Sequence, residues 1–465
     1  MWVRENSGST VDLLLGALPA GTVITDPASV DAYRRDRAND PDAGVPAAVV
    51  RATSTEDVQV VMGIAAATGT PVIPRGAGSG LSGGSSAVDG AIVLSLESMR
   101  AVEVDPDTRM AVVQPGALNV EVKAAAAHGL WYPPDPSSYE ICSIGGNVAT
   151  NAGGLCCVKY GVTTDYVLGL TVVLADGRAV RLGGPRVKDV AGLSLTKLFV
   201  GSEGTLGVIT EIILRLVPAQ RPPSTVVATF PALDGATSAV IAITGATRPS
   251  MLEFMDRPTI AAVETATRMG LDIEAAAMLV IQSDDTADAA AAEIETIQAI
   301  CEAHGASECY ATADAAEGEA FVQARRMAIP AIERLGTVLL EDVGVPIPRL
   351  GDLVLGIERI SIEHDVPIAV MAHAGDGNTH PLIVYDPSDA AQRERAHAAY
   401  GEVMDLAIEL GGTITGEHGV GRLKRPWLAD YLGPDVLELN ERIKVALDPQ
   451  RILNPGAIFK RTDLL

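Results

Sequence analysis

The chain is poor in aromatic residues, in basic charge and in cysteine, and each shortage closes off a class of function. Phe, Trp and Tyr together make up 4% of its 465 residues, so Ala, Val, Leu and Gly must build the core. Lys and Arg number 35 against 59 Asp and Glu, a formal net charge of -24. A phosphate backbone needs clustered Lys and Arg, which excludes nucleic acid as a partner. An anionic small molecule must be met by local cations, not by the overall field. Cys142, Cys156, Cys157, Cys301 and Cys309 are odd in number and form no C-x-x-C pair. That argues against a disulfide framework and for a reducing compartment. No uncharged apolar run reaches the roughly 20 residues of a membrane helix. The start, MWVRENSGSTVDLLLGALP, lacks the basic opening and apolar centre of a signal peptide. These absences predict a cytoplasmic protein, at most peripheral to the inner face of the membrane.

What is abundant points to a well-packed chain. Hydrophobic residues make up 48% and charged residues 20%, enough for a large core and against disorder. The length suits two or three domains. Residues 11–37 read as helices broken at Pro19-Ala20-Gly21, and PAAVVR (46–51) as a strand. Thr55-Glu56-Asp57 opens a helix that Gly69 can stop. Strands follow at PVIPR and AIVLSL, on either side of the loop GAGSGLSGGSSAVDG. Hairpins are expected around Asp105-Pro106-Asp107 and Asp176-Gly177, with a helix over 117–129 between them. Residues 131–154, WYPPDPSSYEICSIGGNVATNAGG, carry too many Pro, Gly, Ser and Asn for regular structure. So long an irregular stretch in a compact domain is usually functional. GSEGTLGVITEIILRLVP reads as a glycine turn entering a strand, and residues 219–223 as a linker. Beyond it, strands and Ala/Glu-rich helices alternate, an α+β pattern with helices on one face of an antiparallel sheet.

Gly78-Ser79-Gly80-Leu81-Ser82-Gly83 fits G-x-G-x-x-G. A Rossmann dinucleotide motif needs a strand before it and a helix opening within it. The strand is there, but Gly84 to Gly90 cannot open a helix, so an NAD reading is rejected. The loop's N–H groups still suit a pyrophosphate. Three segments in order, PRGAGSGLSGG, PPDPSSYEICSIGGNVATNAGG and GSEGTLGVITEI, resemble the flavin-binding domain of the vanillyl-alcohol oxidase / p-cresol methylhydroxylase superfamily, over roughly residues 42–220. The resemblance implies FAD. By it, Pro74, Arg75, Gly76, Ala77, Gly78, Ser79, Gly80, Ser82 and Gly83 wrap the pyrophosphate. Pro134, Asp135, Ser143, Gly146, Asn147, Thr150, Asn151, Gly153 and Gly154 line the cofactor. Glu203, Gly207, Val208 and Ile209 approach it, the last two through their backbone. Where some members join flavin to a histidine, this chain has Ser79, which implies non-covalent FAD. Cys142, Cys156 and Cys157 leave a second attachment point open.

Three of the seven histidines fall within 373–418. IAVMAHAGDGNTHPLIVYD reads as strand, tight turn, strand, because Gly375-Asp376-Gly377-Asn378 is rich in residues that tolerate positive φ. The hairpin can bring His373 and His380 to one end of a sheet. Neutral imidazoles suit Zn or Mn, and a carboxylate commonly completes the set. Glu417, just past a strand expected over 411–415, is the candidate. His128, His304, His364 and His397 have no such company and are expected at the surface.

HAGDGNTH, TGEHGVGRLK and ILNPGAIF resemble one branch of that superfamily, the branch of D-lactate dehydrogenase, D-2-hydroxyglutarate dehydrogenase and the FAD-linked component of glycolate oxidase. The likeness spans nearly the whole chain. It implies a two-part FAD domain over 1–219 (core 42–219), an antiparallel-sheet substrate cap over 220–410, and a helical segment over 411–465 that returns to the site. It implies metal binding by His373, His380 and Glu417, a base at His418, and Asn378 and Asn454 near the flavin. A 2-hydroxy acid can chelate a metal, which lowers its hydroxyl pKa, while a neutral histidine takes the proton. Its carboxylate calls for an arginine fork; Arg325 and Arg326 are the candidates, and the branch points to Arg325. A diacid would need a second cation near Leu339-Leu340-Glu341-Asp342, where none stands. The expected reaction is oxidation of D-lactate or glycolate to the keto acid. The alternatives are D-2-hydroxyglutarate oxidation and a non-catalytic flavoprotein subunit. The electron acceptor is left among a quinone, a cytochrome, an electron-transfer flavoprotein, an iron–sulfur subunit and oxygen, and a homodimer is left open.

Overall fold

The computed structural model describes residues 9–127 and 129–460; the surface expectation for His128 and the very start of the chain lie outside the described residues. The first elements follow local rules. Ser54 caps the helix Thr55–Thr68 by accepting the Asp57 N–H, and Gly69 ends it at φ 68°, a left-handed value open to glycine. Four strands form the first sheet in the order Val23–Ile24, Ala48–Arg51, Ile92–Ser95, Val72–Arg75. The last three are parallel. An antiparallel five-stranded sheet follows, in the order Val102–Asp105, Met110–Val113, Val208–Arg215, Val167–Val173, Ala179–Gly183. Both expected hairpins lie in this second sheet.

The third sheet has eight strands, all antiparallel. Its main order is Glu308–Thr312, Ser224–Phe230, Ala277–Ser283, Met251–Asp256, Ile368–His373, Asn378–Tyr385, Thr337–Leu340, with Val343–Gly344 also pairing on Asn378–Tyr385. One face packs Val226, Phe254, Ile281 and Ile383 under the helices Leu233–Ala246, Ala287–Ala303, Leu350–His364 and Ala390–Glu409. The other face was expected bare of helices. Instead Met251, Met255, Met278 and Met371 pack there under Arg257–Thr267, Ala315–Arg326 and Ala328–Ile332. The central strands show why: they are buried on both faces, so they carry apolar runs in place of alternation.

Three more local expectations are corrected. The first helical region stops at Asp31; the following turns grip the glycine loop, Arg37 N–H on Gly78 O and Ala38 N–H on Gly80 O. Ile144–Thr150 is a helix inside the stretch read as irregular. Its two glycines and β-branched residues disfavour it locally, but Ser143 caps it and Ile144 and Val148 are buried. The strand over 411–415 reduces to a single bridge from Thr413 to Gly344. At the end of the chain, the long helix Arg425–Leu447 breaks at Gly433. Leu453 then pairs in parallel with Val72, which returns the chain to the first sheet.

Candidate active site

The glycine loop between the strands Val72–Arg75 and Ile92–Ser95 forms one wall of a cleft of about 1610 Å³, mouth included. Pro74 to Gly80 and Ser82 line it, with Ser143, Gly146, Asn147, Thr150, Glu203, Gly207 and Ile209. Among the described residues, the N–H groups of Gly78, Ser79 and Gly80 meet no backbone acceptor. Such a run of free N–H groups is suited to phosphate oxygens. Close approach explains the glycines. A Cβ on Gly76 would stand 2.3 Å from Ser143 Oγ, and one on Gly78, at φ +71, 2.0 Å from the Arg75 guanidinium. Arg37, Arg75 and Arg326 line the same cleft and supply the local positive charge that the chain as a whole lacks.

Met371, His380, Glu417 and His418 also line this cleft. Strand register gathers them. Glu253 stands opposite His373 on the neighbouring strand, and Met371 opposite His380 across the hairpin. Side chains two residues apart share a face, so Glu253, His373 and His380 project together. Glu417 Oε1 lies 3.3 Å from Nε2 of both His373 and His380, and 3.8 Å from Nε2 of His418. Behind the rings, Glu253 Oε1 meets His373 Nδ1 at 2.8 Å. Asp342 faces Nδ1 of His380 at 3.8 Å and of His418 at 3.9 Å. Asp342 also accepts the N–H groups of Gly416 (3.0 Å), Glu417 (3.1 Å) and His418 (2.8 Å), the Thr415 hydroxyl (2.7 Å) and the Lys424 ammonium (3.2 Å). That carboxylate therefore shapes the turn that presents Glu417 and His418.

The electrostatics follow from burial and pairing. Burial works against charge on Glu417, but hydrogen bonds with His373 and His380 overcome it and hold the carboxyl far below its usual range. Burial disfavours charge on His373 too, and Glu253 outweighs it, so its pKa is well raised. For His418 burial dominates, and its pKa is pushed down to about 4 despite Asp342. His373, His380 and Glu417 offer ligand atoms within 4.8 Å of one another, as do Asp342, His380 and His418. Imidazole nitrogens converging on a carboxylate oxygen, with further carboxylates behind the rings, make a donor set that fits zinc or manganese.

Other expected residues fall elsewhere. Arg325 is fully buried, Nη2 2.8 Å from Glu253 Oε2 and Nη1 2.9 Å from Met371 Sδ; it is Arg326 that lines the cleft, paired with Asp135 at 3.0 Å. Asp135 also accepts the Cys156 N–H, and the Pro134 carbonyl accepts from Asn119. Gly83 packs by Leu423 and Arg422, Gly153 beside Glu417, and Gly154 against Asp135 backbone. Asn151 ends its helix in a left-handed conformation, and the Val208 side chain is in the core. Asn454 donates to the Gly84 and Glu203 carbonyls, behind the loop. Asn378 donates to Asp342 and Val343. His397 is exposed, whereas His304 and His364 are half-buried, the latter on Glu402. The sequence reading missed Glu253 and Asp342. A carboxylate in the middle of the apolar strand Met251–Asp256 was the available signal for the first; for the second there was none.

Comparison with known proteins shows the family. Residues 46–183 match the FAD binding domain family, and residues 220–458 match FAD linked oxidases, C-terminal domain. The chain is 41% identical to "Glycolate oxidase subunit GlcD" of Bacillus subtilis over 90% of each protein. It is 35% identical to "D-lactate dehydrogenase" of Archaeoglobus fulgidus over 93% of this chain and 96% of that one. The fold matches p-cresol methylhydroxylase with a TM-score of 0.80 at 18% identity, covering 96% of this chain and 95% of that one. The chain is an FAD-linked oxidoreductase and belongs to the FAD-linked oxidases, beside the glycolate oxidase subunits and D-lactate dehydrogenases.

Proposed function

We propose that this chain oxidises a small D-2-hydroxy acid, D-lactate or glycolate, to the 2-keto acid, with zinc or manganese held by His373, His380 and Glu417. The observation that carries the reading is the convergence of three imidazoles on Glu417 at the wall of the flavin-binding cleft. FAD held by the glycine loop would supply the acceptor for the substrate's hydride. With Ser79 in the loop, FAD is held without a covalent bond. A bound ion supplies a Lewis acid that lowers the pKa of the substrate hydroxyl. The pair of carboxylates that favours a proton on His373 equally favours a cation in the proton's place.

His418 is the base. Burial keeps it neutral, and Asp342 on its Nδ1 side steadies the imidazolium formed when it takes the hydroxyl proton. Arg325 anchors the carboxylate; its Nε is buried without a hydrogen-bond partner, and Glu253 holds it in line with His373. A second reading gives the anchor to Arg326, because that guanidinium lines the cleft. Lys424 is committed to Asp342, so a second substrate carboxylate finds no free cation there. The reduced enzyme passes its electrons to a quinone, a cytochrome, an electron-transfer flavoprotein or an iron–sulfur subunit.

The test is anaerobic bleaching of the flavin band by D-lactate, L-lactate, glycolate and D-2-hydroxyglutarate. D-lactate or glycolate should bleach it fastest. Fastest bleaching by the diacid would reassign the substrate, and no bleaching by any of the four would favour a non-catalytic flavoprotein subunit. Arg325→Lys should raise KM more than Arg326→Lys; the reverse order would move the anchor to Arg326.

A further inference from the structure

A second recess, about 890 Å³ with its mouth, lies against the same carboxylate. Glu417, His373 and Asn378 form its buried part, Gly153 and Cys157 a side wall, and Asp376 and Tyr431 an exposed rim. Among the described residues, Glu417 alone lines both this recess and the flavin cleft. Its two oxygens divide the work. Oε1 faces the histidines at 3.3 Å. Oε2 is buried and has no hydrogen-bond partner among the described residues; it lies toward the recess, where a Cβ on Gly153 would stand 3.1 Å from it and 3.3 Å from Cys157 Sγ.

Charge separates the two openings. Arg37, Arg75 and Arg326 line the cleft beside the carboxyl groups of Asp36, Glu203 and Glu417. Among the described residues, the recess has no Lys or Arg in its lining, only the carboxylates of Asp376 and Glu417 and the Cys157 thiol beside neutral groups and His373. Phosphates and a substrate carboxylate are drawn to the first and repelled by the second; for a divalent cation the preference reverses.

We propose that the recess behind Glu417 is the route by which the divalent ion reaches and leaves its site, so that metal exchange does not require release of the flavin. The route rests on the metal reading above. Asp376 meets the hydrated ion at the rim, Cys157 and Glu417 Oε2 offer the next donors, and Glu417 spans the step to the two histidines.

The test uses FAD-loaded protein stripped of metal by a chelator, then mixed rapidly with Zn²⁺ and a fluorescent zinc indicator. Bound FAD should change the uptake rate less than about twofold, since the cleft is not the path. Asp376→Asn keeps the acceptor for the Asn378 N–H and removes the charge; at low salt it should slow uptake roughly three- to tenfold. Val162→Trp, filling the recess from its wall, should slow it as well. Both variants should reach the wild-type zinc stoichiometry and retain the flavin absorbance. Uptake that stalls when FAD is bound, or wild-type rates in both variants, would overturn the route while leaving the metal site standing. Protein that takes up no stoichiometric zinc in any state would overturn the metal reading, and the route with it.

Discussion

The glycine loop and the histidine cluster line one cleft, yet the loop offers its backbone and the cluster its side chains. In the loop, free N–H groups at Gly78, Ser79 and Gly80 are presented by a chain path that leaves no room for a Cβ at Gly76 or Gly78. In the cluster, three rings and Glu417 are set by strand register and by carboxylates behind them. The two should therefore fail differently. Added atoms harm the loop, and removed atoms harm the cluster.

The largest expected effect lies in the cluster. His418→Ala should keep both FAD and metal and slow flavin reduction by roughly 10²–10⁴-fold, the range for a lost general base. Unchanged single-turnover kinetics would remove His418 from the chemistry. The contrast itself is sharpened by a pair of variants. His380→Ala should weaken metal binding by at least about 100-fold, more than loss of an outer-shell partner does, with FAD content intact. Gly78→Ala should weaken FAD binding by roughly tenfold or more through left-handed strain and displacement of Arg75, with metal content intact. Elemental analysis and flavin absorbance on both proteins decide; if each variant lost both groups, the two sites would be one cooperative unit.

The smallest effect concerns the seam between them. Glu203 lines the cleft and accepts the N–H groups of Val420 and Gly421. Burial, opposed by those two donors, pushes its pKa up to about 7. The fold thus binds this proton more tightly than the unfolded chain does. Its stabilisation is complete below about pH 4.5 and is lost as pH rises toward about 7. The loss amounts to roughly 3 kcal/mol at most. Thermal unfolding of flavin-free protein across that window should show the slope, and Glu203→Gln should make it shallower, with Asp256, also raised by burial to about 7, keeping part of it. An equal slope in the variant would assign it to other groups.

Much of this site was legible in the sequence because its parts are local. The turn Gly375-Asp376-Gly377 announces a hairpin, and a hairpin of that length brings His373 and His380 together. The absence of a helix after Gly84 rules out a Rossmann loop. What stayed hidden depends on distant partners. Glu253 matters because a strand 120 residues away places His373 opposite it. Asp342 reads as a plain acid until the 415–418 turn folds onto it. Ile144–Thr150 is a weak helix by composition and forms because the core buries it. The arginine pair shows the limit most clearly: the sequence offers Arg325 and Arg326 side by side with the family resemblance favouring Arg325, and only the helix packing puts the first against Glu253 and the second in the cleft.

The central proposal is a divalent metal ion beside the flavin. The measurement is the anaerobic rate of flavin reduction by D-lactate and glycolate in protein as isolated, stripped of metal, and reloaded with zinc or manganese. Stripping should slow bleaching by about 100-fold or more, because the hydroxyl loses its Lewis acid, and reloading should restore it. Equal rates in fully stripped and reloaded protein would contradict the account.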